Sequence, residues 1–227
     1  MKRLFCLIGL SSCLAIPSVH AITQNFNFGG LGLALPDGDP SGLANLQDIT
    51  SSITSIQDIS VSLDISGTWN GDLYATIQHD SGFAILLNRV GRTAGNAFGF
   101  GDDGMQVTFN DSGGFSDVHT QTSGGGLLAG TFGSDGRAVD PDQVADTDIR
   151  TAGLDNLFGL DANGAWTLFV ADLSGGDQHI LNSWSLEITG TAGGVPVPDA
   201  GSTALMLTFV LVGLIHLRHT HRTSGAA

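Results

Sequence analysis

Ile59-Ser-Val-Ser-Leu-Asp-Ile65 alternates apolar and polar side chains at every step. A strand sends successive side chains to opposite faces, so Ile59, Val61, Leu63 and Ile65 face a core while Ser60, Ser62, Asp64 and Ser66 face water. The same period returns in Leu73, Ala75, Ile77; in Phe83, Ile85, Leu87; and in Met105, Val107, Phe109. It recurs in Trp166, Leu168, Val170 and in Trp184, Leu186, Ile188. Each run has strand length and is bounded by Gly, Asp or Asn, and no long 3.6-residue stripe competes with them. The pattern predicts an all-β domain, an antiparallel sandwich. Trp166 and Trp184 sit in alternating runs and read as core anchors. Asn163-Gly164 and Gly175-Gly176-Asp177 read as turns between the last strands. Gly71 and Gly164 read as turn positions that a side chain would obstruct. The stretch 113–148 is the least regular and reads as a long loop excursion.

Both ends of the 227-residue chain differ from this middle. Met1-Lys-Arg3 is a basic start, Leu4–Ile16 is apolar, and Val19-His-Ala21 is a small-residue cleavage signal. We expect a signal peptide over 1–21, cut after Ala21 to leave Ile22 first. Leu10-Ser-Ser-Cys13 offers a competing lipobox with Cys13 lipidated, but the apolar run continuing to Ile16 favours ordinary cleavage. At the other end, a small, Pro-containing linker (191–198) leads into Val197-Pro-Asp-Ala-Gly-Ser-Thr203, an apolar run over 204–217, then Arg218, His219, His221 and Arg222. Fourteen apolar residues are fewer than the roughly 20 that span a bilayer comfortably, and the arginines beyond them fit the positive-inside rule. A plain C-terminal anchor and a packed terminal helix are the simpler readings. The order of motif, span and basic cluster over 197–222 resembles the C-terminal sorting tails of the PEP-CTERM type. It is most similar to the variant with the signature Val-Pro-Asp-Ser-Gly, Ala200 standing where that variant has Ser. The sorting residues would be Val197, Pro198, Asp199, Ala200, Gly201, Ser202 and Thr203. The resemblance implies an exosortase-type processing enzyme as partner and transient anchoring in the inner membrane of a Gram-negative bacterium. The product would then reach the cell envelope, cell surface or extracellular matrix.

Between these ends lies one domain's worth of chain. Both cysteines, Cys6 and Cys13, fall in the leader, so the domain over 22–190 has no disulfide. All 22 acidic residues and only four arginines lie within 22–199, a net charge of −18, and every acid but Glu187 is Asp. Nucleic acid needs a basic face, so this balance argues against it as a partner. Asp-rich loops either cap turns or supply oxygen ligands to Ca²⁺. The candidate ligands are Asp37, Asp39, Asp72, Asp102, Asp103, Asp111, Asp172 and Asp177. Asp37-Gly-Asp39-Pro-Ser41-Gly42 with Asp48 has the spacing of an EF-hand start, but Pro40, Asp at the last position and the absence of flanking helical pattern make the match accidental. Asp102, Asp103 and Asp111 bracket a strand and are expected to converge on one end of the sandwich. Asp140, Asp142, Asp146 and Asp148 form a further loop group.

Several motifs across the domain occur in a fixed order. They are Pro36-Asp-Gly-Asp-Pro40 with Gly42, Ile59–Ile65 followed by Thr68-Trp-Asn-Gly-Asp-Leu73, and Phe109-Asn-Asp111. Leu157-Phe-Gly159, Asn163-Gly-Ala-Trp-Thr-Leu168, Asp172, Gly176-Asp177 and Ser183-Trp-Ser-Leu186 complete the series. Together they resemble the P domain, or Homo B domain, of subtilisin-like proprotein convertases. The resemblance implies a jelly-roll-like β-sandwich of about eight strands that normally follows and stabilises a protease domain. Before Pro36 the chain has only the leader and a short Gly-rich stretch, no Gly-x-Ser-x-Gly elbow occurs in the mature chain, and no His-Glu-x-x-His occurs. We therefore expect no catalytic residues. Three functions remain in play: a non-catalytic surface or matrix module, an accessory of a separately encoded subtilisin-like protease, and a polysaccharide-binding module. For the last, Trp69 and Tyr74 are the first aromatic candidates.

Overall fold

The computed structural model describes residues 21–193. The signal peptide before Ala21, the sorting residues Val197–Thr203 and the apolar run over 204–217 lie outside the described residues. Ten strands follow in order: β1 (Ala21–Phe28), β2 (Leu33–Ala34), β3 (Leu43–Ile49), β4 (Ile53–Ser66), β5 (Leu73–His79), β6 (Gly82–Asn88), β7 (Met105–Phe109), β8 (Leu128–Phe132), β9 (Gly164–Asp172) and β10 (Ile180–Ala192). One sheet has the order β1-β10-β4-β7-β8, with β2 also paired to β10, and the other has the order β3-β9-β5-β6. The all-β sandwich expected from the alternation is thus the fold. β10 runs two residues into the span read as linker, its Thr191 opposite Ala21 of β1.

The inward faces are those the period marks. Ile59, Val61, Leu63 and Ile65 of β4 meet Leu186, Ile188 and Trp184 of β10 and Val107, Phe109 and Met105 of β7 within one layer. Trp166, Leu168 and Val170 of β9 close the core from the other layer. Trp166 and Trp184 are both buried, and their polar atoms are satisfied: Trp166 Nε1 donates to the Ala162 carbonyl at 3.0 Å and Trp184 Nε1 to Asn45 Oδ1 at 2.8 Å. The second bond joins β10 to β3 across the two sheets. Phe28 packs on Trp184 with ring centroids 4.4 Å apart, so β1 supplies part of the core lining.

Three expectations are corrected. β6 does not alternate: Phe83 is exposed, while Ala84, Ile85, Leu86 and Leu87 are all buried. Its outer edge is covered, because Asp135 and Gly136 donate backbone N–H groups to Leu86 and Ile85, and Ile85 donates to Ala152. A strand buried on both faces has no polar face to display. Second, 113–148 is not simply a loop. It contains β8, which pairs with β7 in parallel, and buries Val118, His119, Ser134, Asp135 and Arg137. The sandwich is therefore mixed rather than wholly antiparallel. Third, Asn163-Gly164 opens β9 after the 3₁₀ turn Leu154–Leu157 instead of closing a hairpin; Gly175-Gly176 is the expected turn between β9 and β10, and it joins strands of different sheets.

Candidate functional site

The strand directions gather most of the acidic candidates at one end of the sandwich. β4 ends at Ser66 opposite Ile180, the first residue of β10, and opposite Met105, the first pair of β7, is Ile65. Leu73 of β5 pairs with Asp172 at the end of β9. The connections at this end therefore carry Asp72, Asp102, Asp103, Asp172 and Asp177. Asp37 joins them by accepting from the Gly176 N–H at 3.1 Å. Asp111 does not. It follows β7, at the opposite end of the strand from Asp102, so the expected convergence of Asp102, Asp103 and Asp111 is wrong.

All of these carboxylates except that of Asp103 have bonded partners among the described residues. Asp39 accepts from Ser41 N–H at 2.9 Å, which holds its carboxyl below the usual range. Asp177 accepts from the Thr68 hydroxyl. Burial opposes the charge of Asp102. It is outweighed by the N–H groups of Gly125 (2.8 Å) and Ser123 (3.0 Å) and the Thr122 hydroxyl, and the Asp102 carboxyl is held below its ordinary value. One carboxylate thus pins the whole Ser123–Gly126 loop. Asp111 accepts from the N–H groups of Ser134 and Leu154, both at 2.8 Å, from the Ser134 hydroxyl, and from Arg150 at 3.2 Å. Asp48 lies on β3 opposite Ala165, inside the ladder, so no EF-hand loop closes around Asp37 and Asp39. Among the described residues, no group of three or more His, Cys, Asp or Glu side chains is assembled to hold a metal ion.

Sequence reasoning missed the buried ionic networks. Asp72 pairs with Arg89 at 3.3 Å, and Arg89 also reaches Asp142 at 3.1 Å. Burial pushes the Asp72 carboxyl up, against the Ser174 hydroxyl and the Arg89 charge. Nearby, Asp172 holds His179 Nδ1 at 2.8 Å, with both side chains wholly buried, and His179 Nε2 has no hydrogen-bond partner. A second pair, His119 Nδ1 with Asp135 at 2.7 Å, is completed by His119 Nε2 on the Arg92 carbonyl at 2.8 Å. Burial works against the imidazolium, but Asp135 and that carbonyl outweigh it and raise the pKa of His119. Arg137 bridges Asp135 and Asp117 beside it. His79 stacks parallel on Trp166 at 4.1 Å, with its ring nitrogens on the carbonyls of Asp161 and Ala165. Chain separations of seven and sixteen residues, with no local motif, left both His–Asp pairs invisible in the sequence.

What this arrangement can do chemically is limited by access. The three histidines His79, His119 and His179 are each no more than 3% exposed. Ser174, beside the Asp72–Arg89 pair, bonds to Arg89 at 3.2 Å and not to an imidazole. A nucleophile–base pair needs a hydroxyl within hydrogen-bond reach of its base. No serine hydroxyl among the described residues bonds to a histidine ring.

No family model and no curated protein matches the chain. Among solved structures, it is similar to the serine protease of Aeromonas sobria in complex with the chaperone ORF2. The identity is 17% and the TM-score 0.37, over 81% of this chain and 29% of the other. A second crystal structure of the Aeromonas sobria serine protease gives 17% identity and a TM-score of 0.39, over 79% and 28%. The chain spans less than a third of the length of either solved chain.

Proposed function

We propose that this protein is an exported, non-catalytic β-sandwich that acts by display and binding at the cell envelope or in the extracellular matrix. The observation that carries the non-catalytic part is the burial of His79, His119 and His179 within structural hydrogen bonds. A general base must reach the proton that it takes. Delivery rests on the leader up to Ala21 and on the motif Val197–Thr203 with the run over 204–217, read as an exosortase-type sorting tail. Mass spectrometry of the protein from cells and medium tests delivery. A species beginning at Ile22 and lacking the residues beyond 203 is expected. A chain that keeps 204–227 in every fraction would overturn tail processing. Calcium belongs to this proposal only as a ligand of the exposed carboxylates Asp37, Asp39 and Asp103. A Tm raised by saturating Ca²⁺ over chelator is the result it requires.

A second reading is an accessory role beside a separately encoded subtilisin-like protease. It is favoured by the residues that resemble a P domain, which fall on β4, β5, β7, β9 and β10 and on turns at both ends of the sandwich. Tagged protein recovered from envelope extracts should then carry a hydrolase that reacts with a serine-directed covalent probe. Recovery without any such hydrolase would count against it.

A further inference from the structure

The acidic end also carries the most exposed aromatic surface next to a strained residue. Trp69 has φ 67°, a left-handed conformation that bulky residues rarely adopt. Trp69 is 40% exposed, yet its ring is fixed: Nε1 donates to the Phe98 carbonyl at 3.0 Å, and the ring lies over Gly101, where a Cβ would meet it at 3.1 Å. Phe98 is 67% exposed. Strained residues of this kind gather at functional sites. The connections bonded to this turn carry acids. Asp177 is tied to Thr68, the residue before Trp69, and Asp102 accepts the Asn70 N–H on its backbone carbonyl. Asp103 is exposed, and its carboxylate bonds to no other described residue. The four arginines of the described residues are already bonded, and one of them, Arg89, lies at this end with its Nε on the Gly71 carbonyl at 3.1 Å. Arg89 is held by Asp72 and Asp142, Arg92 by the carbonyls of Asp142 and Val144, Arg137 by Asp117 and Asp135, and Arg150 by Asp111.

We infer that Trp69, Phe98, Asp103 and Asp177 form a docking surface for a basic segment of a partner polypeptide, with a lysine or arginine side chain lying on the Trp69 indole. A cation is attracted to the face of an indole, and nearby carboxylates hold it there. Complementary charge also speeds and orients encounter. The aliphatic stem of the same side chain covers Phe98. A neutral sugar would use the ring but not the carboxylates, so the charge of this end favours the basic polypeptide. The inference deepens the binding part of the proposal above and is independent of delivery, which the chain termini test.

The purified full chain can be titrated with fluorescein-labelled hexa-arginine, the equivalent hexa-citrulline peptide and unlabelled cellohexaose as competitor. We expect saturable hexa-arginine binding at low salt, weakened severalfold by added salt, and no binding of hexa-citrulline. Trp69→Gly removes the ring at a position whose backbone suits glycine, and Trp69→Asn offers a second folded variant. Each should weaken binding on the order of tenfold with Tm held, and Asp103→Asn about threefold. Absence of hexa-arginine binding, equal binding of hexa-citrulline, unchanged affinity in a folded Trp69 variant, or Trp69-dependent competition by cellohexaose would each overturn the inference.

Discussion

The two ends of the sandwich both fasten loops with aspartate but present different aromatic surfaces. At the Asp111 end the carboxylate is an internal fastener: it ties the residue after β7 to Ser134 after β8, to the 3₁₀ turn at Leu154 and to Arg150. At the Trp69 end, Asp102 performs a similar task on the Ser123–Gly126 loop, while the carboxylates of Asp103, Asp37 and Asp39 are exposed and the indole of Trp69 is partly exposed. Both ends present exposed acids and aromatics, Asp155, Phe115 and Phe158 at one and Asp103, Trp69 and Phe98 at the other, but among the described residues only Trp69 is an aromatic held on a left-handed backbone. The lesson is that acidic composition alone does not locate a site. What separates the ends is the left-handed, exposed Trp69 and not the pairing of the acids, since Asp37, Asp39, Asp72 and Asp102 also have N–H or guanidinium partners.

Substitutions at the two ends should break or sharpen this contrast. The largest effect is expected from Asp111→Ala, which strands the buried N–H groups of Ser134 and Leu154 and leaves Arg150 unpaired. A loss of about 3–4 kcal/mol in chemical denaturation is expected. Gly71→Ala comes next. A Cβ there would collide with the Phe98 carbonyl oxygen and the backbone of Gly99 and Phe100, costing about 2–3 kcal/mol. It tests whether the Trp69 end, too, rests on a rigid base. Asp102→Ala should cost about 1–2 kcal/mol and raise hydrogen exchange in the Ser123–Gly126 loop. Because the Asp102 carboxyl is held low when folded, its contribution is complete above the ordinary carboxylate range near pH 4. It is lost as pH falls through the lowered value. The wild type should lose this increment in acid, and Asp102→Ala should not. Trp69→Gly should change stability least, within about 0.5 kcal/mol, since ring contacts are lost while backbone strain is relieved. A large loss there would make Trp69 a structural residue and erase the contrast.

His119 gives a check with the opposite pH sign. Its pKa is raised on folding by Asp135 and the Arg92 carbonyl, against burial and the nearby Arg137. That stabilisation is therefore full below the unfolded value of about 6.5 and is lost as pH rises through the folded value. Tm should fall on raising pH from about 6 to about 9 by an increment that His119→Gln lacks.

The sandwich was legible because β4, β9 and β10 each have one wet face, so burial imposes a period of two on Ile59–Ile65, Trp166–Val170 and Trp184–Ile188. β6 concealed itself for the converse reason: segments from 133–136 and 152 cover its edge, and Leu86 and Leu87 are both apolar. β8 was illegible because Ala129, Gly130 and Thr131 are exposed and its pairing with β7 is parallel, a long-range choice with no local turn signal. Of the candidate site, the turn acids and Trp69 were visible as residue types. Their grouping was not, since it depends on which ends of β4, β5, β7, β9 and β10 coincide. The partners of Asp72, Asp135 and Asp172 lie between two and 17 positions away in sequence and become neighbours only through strand register.

Amide hydrogen exchange on the full chain, with and without saturating hexa-arginine, tests the contrast between the ends most directly. Added protection confined to the segments around 67–72, 96–104 and 122–127 is expected. Protection centred on 111–116 and 150–158, or none at all, would contradict it.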